Sequence, residues 1–275
     1  MKLTTILPEI WRMDGGAAFG VIPKTMWSKF YEPDDKNCIV MTNRCLLVES
    51  EDRLVLVETG FGSKRNEKYY QFKYIFERPG LKATIEKAGY KPEDITDVIF
   101  THLHDDHCGG AVDRIAEDQY SIVCPNAKHH VSRAQYESAT NPNIREAASF
   151  FNDNIDPLKD AGLLNLIEEE SELFPGFGLI LKNAHTAGQM LPKITTEKGT
   201  FVYMSDFIPS VAHISPVWIA SVDIDPMLAL KEKEAFLREA VDNDYTLVFE
   251  HDPVHEACKV EENVKGFVGV PVNLD

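Results

Sequence analysis

The chain has 275 residues, 44% hydrophobic and 26% charged, enough to bury a full core as one large domain or two small ones. Twenty-eight basic residues against 44 acidic give a formal net charge of -16. No basic stripe stands ready to neutralise phosphates, which argues against nucleic acid as a partner.

Met1 to Trp11 falls short of a signal peptide, and no stretch approaches the roughly 20 apolar residues of a membrane span. The five cysteines form no C-x-x-C pair and fit reduced core residues, so a soluble cytoplasmic protein with no membrane partner is expected. In chain order, Leu46 to Val48 and Leu54 to Val57 predict a hairpin around the polar turn Glu49 to Arg53. Leu81, Ile85 and Ala88 recur at helical spacing and stop at Gly89. A strand over Val98 to Phe100 then ends at Thr101, and Tyr120 to Val123 predicts another. Val131 to Leu158 has mostly helical composition, broken by Asn141-Pro142 and Pro157. Phe177 to Leu181, Thr200 to Met204 and Thr246 to Phe249 predict three more strands, with a helix over Lys231 to Val241 before the last. Strands and helices alternate without a Gly-, Pro- or Ser-rich linker, so a single mixed α/β domain over 1–275 is expected.

The segment Thr101-His102-Leu103-His104-Asp105-Asp106-His107-Cys108-Gly109-Gly110 carries the chemistry, with spacing H-x-H-x-D-H just beyond a predicted strand. Residues two apart at a strand end project to one side, so His102 and His104 can offer imidazoles to one metal ion. Asp106 and His107 lie where the chain turns and can reach a second ion. Asp105, by the same reasoning, points away. Gly109 and Gly110 are expected to allow a tight turn. His185, Asp206 and His251 each follow a predicted strand, where α/β folds collect ligands. His129, His130 and His255 fit no ligand spacing and are expected on the surface or on helices.

In this order of motifs the chain resembles the metallo-β-lactamase superfamily: Glu58-Thr59-Gly60, the run from His102 to His107, a lone His185, Asp206 and a final His251. The resemblance implies a four-layer αββα sandwich of two mixed β-sheets flanked by helices. It also implies two metal ions per chain, one held by His102, His104 and His185, the other by Asp106, His107 and His251, with Asp206 bridging both. Two departures stand out. Glu58 is usually an aspartate, so an outer hydrogen bond to a ligand histidine would shift by one methylene. Gln189 replaces the second histidine of an H-T-x-G-H run, which is not generally a ligand.

Such a ligand set points to zinc, with iron, manganese or cobalt able to occupy the same shell. Two ions can share a hydroxide, lower its pKa and polarise the group under attack, while Asp106 either passes a proton to the leaving group or serves only as a ligand. The segments Met13 to Trp27 and Asp206 to Pro226 resemble the branch with quorum-quenching N-acyl homoserine lactonases and methyl parathion hydrolases. That likeness implies residues 11–35 as a flap or dimerisation segment of a possible homodimer. Phe19, Phe207 and Trp218 are candidates for contacting an acyl chain, or else core aromatics. His213 is a substrate donor or a satisfied structural histidine. The expected activity is hydrolysis of a lactone or small carboxylic ester. Phosphotriester or thioester hydrolysis is the alternative, and a binding protein on the same scaffold is disfavoured because all seven ligands remain.

Overall fold

The computed structural model describes residues 1–117, 119–264 and 266–274. The hairpin Cys45–Glu49 and Leu54–Val57 forms where the sequence predicts it, with Leu46 opposite Val57 and the Ser50 N–H donating to the Arg53 carbonyl at 2.9 Å across the turn. It belongs to a six-stranded mixed sheet, in the order Lys2–Ile6, Cys45–Glu49, Leu54–Val57, Asp97–Ile99, Lys128–Ser132 and Leu164–Ile167. The pairs from Leu54–Val57 onward are parallel. Leu46, Leu47, Val48, Val55, Leu56, Val57, Val98 and Ile99 are all buried. Such unbroken apolar runs suit strands covered on both faces. This sheet lies in a unit built from Met1–Ile10 and Asn43–Glu170.

His129 and His130 correct the sequence reading: they are buried in the strand Lys128–Ser132, between two parallel neighbours, and not on the surface or a helix. His130 is bonded to Asp97 Oδ1 through Nε2 and to Asn165 through Nδ1, both at 2.9 Å. His129 stacks on Phe100. Val131 also lies in this strand, so the helical stretch begins only at Arg133–Thr140 and resumes at Asn152–Asp160. Pro157 sits inside the second helix and does not end it.

A second unit comprises Trp11–Thr42 and the chain from Ser171 onward. Its seven-stranded sheet runs Ser171–Phe174, Phe177–Lys182, Gln189–Thr196, Gly199–Tyr203, Thr246–Val248, Ala257–Asn263 and Gly266–Val272. Every neighbour is antiparallel except the pair Gly199–Tyr203 and Thr246–Val248. A parallel pair needs a crossover, and the helix Pro226–Asp242 lies within it. Asp225 caps that helix by accepting from the Met227 and Leu228 N–H groups, and Pro226 occupies its first turn. Both termini of the sequence thus contribute strands that the hydrophobic pattern alone did not show. No helix among the described residues is long and apolar enough to cross a membrane. All five cysteines are buried.

Candidate metal centre

In the first unit the H-x-H-x-D-H run leaves the carboxyl end of the strand Asp97–Ile99, and a neighbouring strand end grips it from both sides. Glu58 follows Leu54–Val57 in a left-handed conformation (φ 64°). Its N–H donates to Ile99 O at 3.0 Å. Its Oε1 accepts from the Thr101 N–H at 2.8 Å and stands 3.7 Å from His107 Nδ1. Thr59 then holds the His107 carbonyl twice, through its N–H at 2.8 Å and its hydroxyl at 2.9 Å. The side chain expected to back a ligand histidine therefore also fixes the backbone where the motif begins.

Gly109 and Gly110 lie in the short 3-10 turn Gly109–Ala111 that leads into the strand Val112–Ala116, but the turn is not what requires glycine. Gly109 has helical dihedrals, with φ -59°. What excludes a side chain is the approach of the Glu58–Phe61 segment: a Cβ on Gly110 would lie 2.1 Å from the Thr59 carbonyl oxygen, and one on Gly109 2.3 Å from that of Phe61.

His102 and His107 are fully buried and His104 nearly so. His102 Nδ1 is bonded to Thr101 Oγ1 at 2.9 Å, which leaves Nε2 to converge on His104 Nδ1 at 3.0 Å. His104 Nε2 faces Glu146 Oε1 at 3.5 Å, and His107 Nε2 faces Asp106 Oδ1 at 3.6 Å. Glu58, His102 and His107 bring one potential ligand atom each within 4.8 Å of one another. Asp105 is engaged elsewhere, by the Tyr69 hydroxyl at 2.5 Å and the Lys73 ammonium at 2.8 Å.

The second unit gathers the other three candidates. His185 follows the strand Phe177–Lys182, Asp206 follows Gly199–Tyr203 and His251 follows Thr246–Val248. Asp206 lies between the two imidazoles: Oδ2 is 3.0 Å from His185 Nε2, and Oδ1 is 2.7 Å from His251 Nε2. Each ring is held from behind. His185 Nδ1 meets Asp223 Oδ1 at 2.8 Å, and His251 Nδ1 meets the Thr42 carbonyl at 2.7 Å. A carbonyl only accepts, so His251 Nδ1 carries the hydrogen, and the neutral ring turns an Nε2 lone pair toward a carboxylate oxygen. Two acceptors at that distance require positive charge between them, a proton or a metal cation, and the donor set fits a divalent ion. Burial opposes protonation of His185, but the charge and hydrogen bond of Asp206, with those of Asp223, raise its pKa to about 10.

Asp223 is the residue that sequence reasoning missed. The signal lay in Asp223-Ile224-Asp225-Pro226, where Asp225-Pro226 is a helix start that fixes the residues before it. The Asp225 N–H donates to Ala184 O and the Ile224 N–H to His185 O, which aligns Asp223 with the imidazole.

The pocket candidates lie deep in this unit. Phe19 is fully buried, stacked between Trp27 and His213 at 5.2 and 4.7 Å and edge-on to Trp218. Phe207 packs against Phe236 of the crossover helix. Both His213 nitrogens are used internally, by Ala18 O and Ser210 Oγ, and burial together with the Lys233 charge lowers its pKa to about 3.

Residues 40–251 match the metallo-beta-lactamase superfamily. The chain belongs to this superfamily. It is 29% identical over 232 residues to an N-acyl homoserine lactonase of Bacillus cereus, covering 78% of this chain and 84% of that one. A probable metal-dependent hydrolase from Staphylococcus aureus superposes with a TM-score of 0.90 at 27% identity, covering 99% of this chain and 97% of its own. A dizinc quorum-quenching lactonase solved with a product superposes with a TM-score of 0.81 at 24% identity, covering 98% and 94%. Superfamily membership makes the chain a metal-dependent hydrolase of α/β class that uses divalent metal ions.

Proposed function

We propose that the chain hydrolyses lactones of the N-acyl homoserine type at a dinuclear centre, with zinc as the leading metal. His102, His104 and His185 would hold one ion and Asp106, His107 and His251 the other, with Asp206 shared. The observation that carries the reading is Asp206 between His185 and His251, one oxygen toward each, with both imidazoles oriented from behind by Asp223 and Thr42. The N-acyl homoserine lactonase from Bacillus cereus, alike over most of its length, supports the substrate class. The whole chain then acts as one hydrolase, with residues 11–35 as a cover beside the substrate.

When bound, the ions supply Lewis acidity and a water acidified toward neutrality. The protein's part is orientation and proton handling. Asp223 and the Thr42 carbonyl, which only accept, place the hydrogen on Nδ1 of His185 and His251, while the Thr101 hydroxyl holds the His102 ring in orientation. The Asp106 carboxylate moves a proton to the ring oxygen as the lactone opens. Trp218 would be the residue to meet an acyl tail, backed by Phe19, which is fully buried behind it and takes no part in the contact. Steady-state kinetics on aliphatic lactones and organophosphate triesters at equal metal loading test this. We expect kcat/KM for the best lactone at least about tenfold above the best phosphotriester, or roughly 1.4 kcal/mol of transition-state stabilisation. A reversed ranking would transfer the chain to phosphotriester hydrolysis.

A further inference from the structure

The helix Pro226–Asp242 turns Ala229, Lys233, Phe236, Leu237 and Ala240 inward. Four of these belong on an apolar face. The fifth, Lys233, is 2% exposed, in a position where a long cationic side chain usually reaches water. Its ammonium donates to Trp218 O at 2.7 Å and Ser215 O at 3.2 Å. Ser215 O also accepts from the Trp218 N–H at 2.9 Å, so Ser215-Pro216-Val217-Trp218 is a closed turn pinned from beneath by one side-chain amine. The adjacent Glu232 accepts from the Asn183 and Ala184 N–H groups at 3.1 to 3.2 Å, in the loop that carries His185. Neighbouring residues of one helix thus hold the loop of a metal-ligand histidine and the turn of Trp218.

Trp218 packs edge-on to Phe19 at 5.8 Å and to Phe30 at 5.4 Å, while Val217 at the tip of the turn is exposed. Taking a lysine out of water costs desolvation, so apolar packing alone does not call for one at this position. The Trp218 carbonyl takes its donor from Lys233, and an apolar side chain there would leave it without that bond.

We propose that Lys233 is a positioning residue that fixes the turn Ser215–Trp218 and, through Trp218, sets the enzyme's preference for acyl-tail length. The tail component rests on the lactone reading; the positioning component does not. The test uses the full-length, metal-loaded Lys233→Met variant, read by amide hydrogen exchange and by kcat/KM for N-butyryl and N-decanoyl homoserine lactone. We expect the Trp218 amide to exchange at least about tenfold faster, with metal content and turnover of the short lactone retained. We also expect the long-to-short kcat/KM ratio to fall by about tenfold. Unchanged exchange at Trp218 overturns the proposal, as does faster exchange with an unchanged ratio. Faster exchange in a protein whose wild type opens no lactone supports the positioning and refutes the lactone reading. Should the methionine variant not fold, Trp218→Leu keeps the carbonyl that Lys233 holds, and an unaltered ratio there overturns the tail-length role.

Discussion

Replacing Asp223 by alanine removes the acceptor for His185 Nδ1, 2.8 Å away in a buried setting. A charge-assisted hydrogen bond contributes about 1.5–3 kcal/mol, equivalent to roughly 10- to 100-fold in affinity for a metal at the far nitrogen. A second effect opposes this. Asp223 also helps raise the His185 pKa to about 10, so it stabilises the proton that a metal must displace. With the imidazole protonated below that value and neutral above it, wild-type metal affinity rises with pH up to about 10. Losing Asp223 weakens proton and metal together, so the net loss at neutral pH belongs near the lower end, about tenfold, and widens as pH rises. Asp223→Asn keeps an acceptor without the charge and should fall between. The assay is competition for zinc against a chromophoric chelator at pH 7 and pH 9, with kcat/KM at saturating metal. If Asp223→Ala bound zinc within twofold of wild type at both pH values, the orienting role of this carboxylate would be refuted.

Three further outcomes follow from the same geometry. Asp206→Ala should lose at least one metal per chain by elemental analysis and most activity, because both imidazole Nε2 atoms lose the carboxylate between them. Retained metal and rate would rule out a shared ligand. Burial lowers the His129 pKa to about 4, so the unfolded chain takes up a proton between pH 6.5 and 4 that the fold excludes, and stability is lost as pH falls through that window. The loss is on the order of 3 kcal/mol, and His129→Leu should flatten the denaturation-midpoint curve there; an unaltered slope would count against it. Gly110→Ala should cost about 1–3 kcal/mol in chemical denaturation, since its Cβ would meet the Thr59 carbonyl at 2.1 Å. A stability equal to wild type would show that the segment yields.

The parts legible in the sequence were those written by local rules. The hairpin, the strand before Thr101 and the placement of His185, Asp206 and His251 after strands all follow from short apolar runs and their ends. His129 and His130 were misread because their burial is set by strands at 97–99 and 164–167, partners that a local window cannot see. Asp223 escaped for the same reason, lying 38 residues from the imidazole it serves. Lys233 interrupts an apolar face, and periodicity reads such an interruption as a weak helix rather than a buried donor.

Glu58 shows how one departure from a motif can be absorbed by the backbone. A non-glycine residue at φ 64° is held in a sparsely populated conformation, costing on the order of 1 kcal/mol. The longer side chain turns back to accept from the Thr101 N–H at 2.8 Å, one residue before His102, and stays 3.7 Å from His107. Thr59, immediately after it, takes the His107 carbonyl with two donors. Those bonds tie the strained residue to both ends of the motif, so relaxing Glu58 would move His102 and His107 together. The glycines at 109 and 110 admit that segment by lacking side chains. This half of the centre is therefore held by two strand ends through both backbone bonds and the Glu58 carboxylate, which reaches the Thr101 N–H despite its extra methylene.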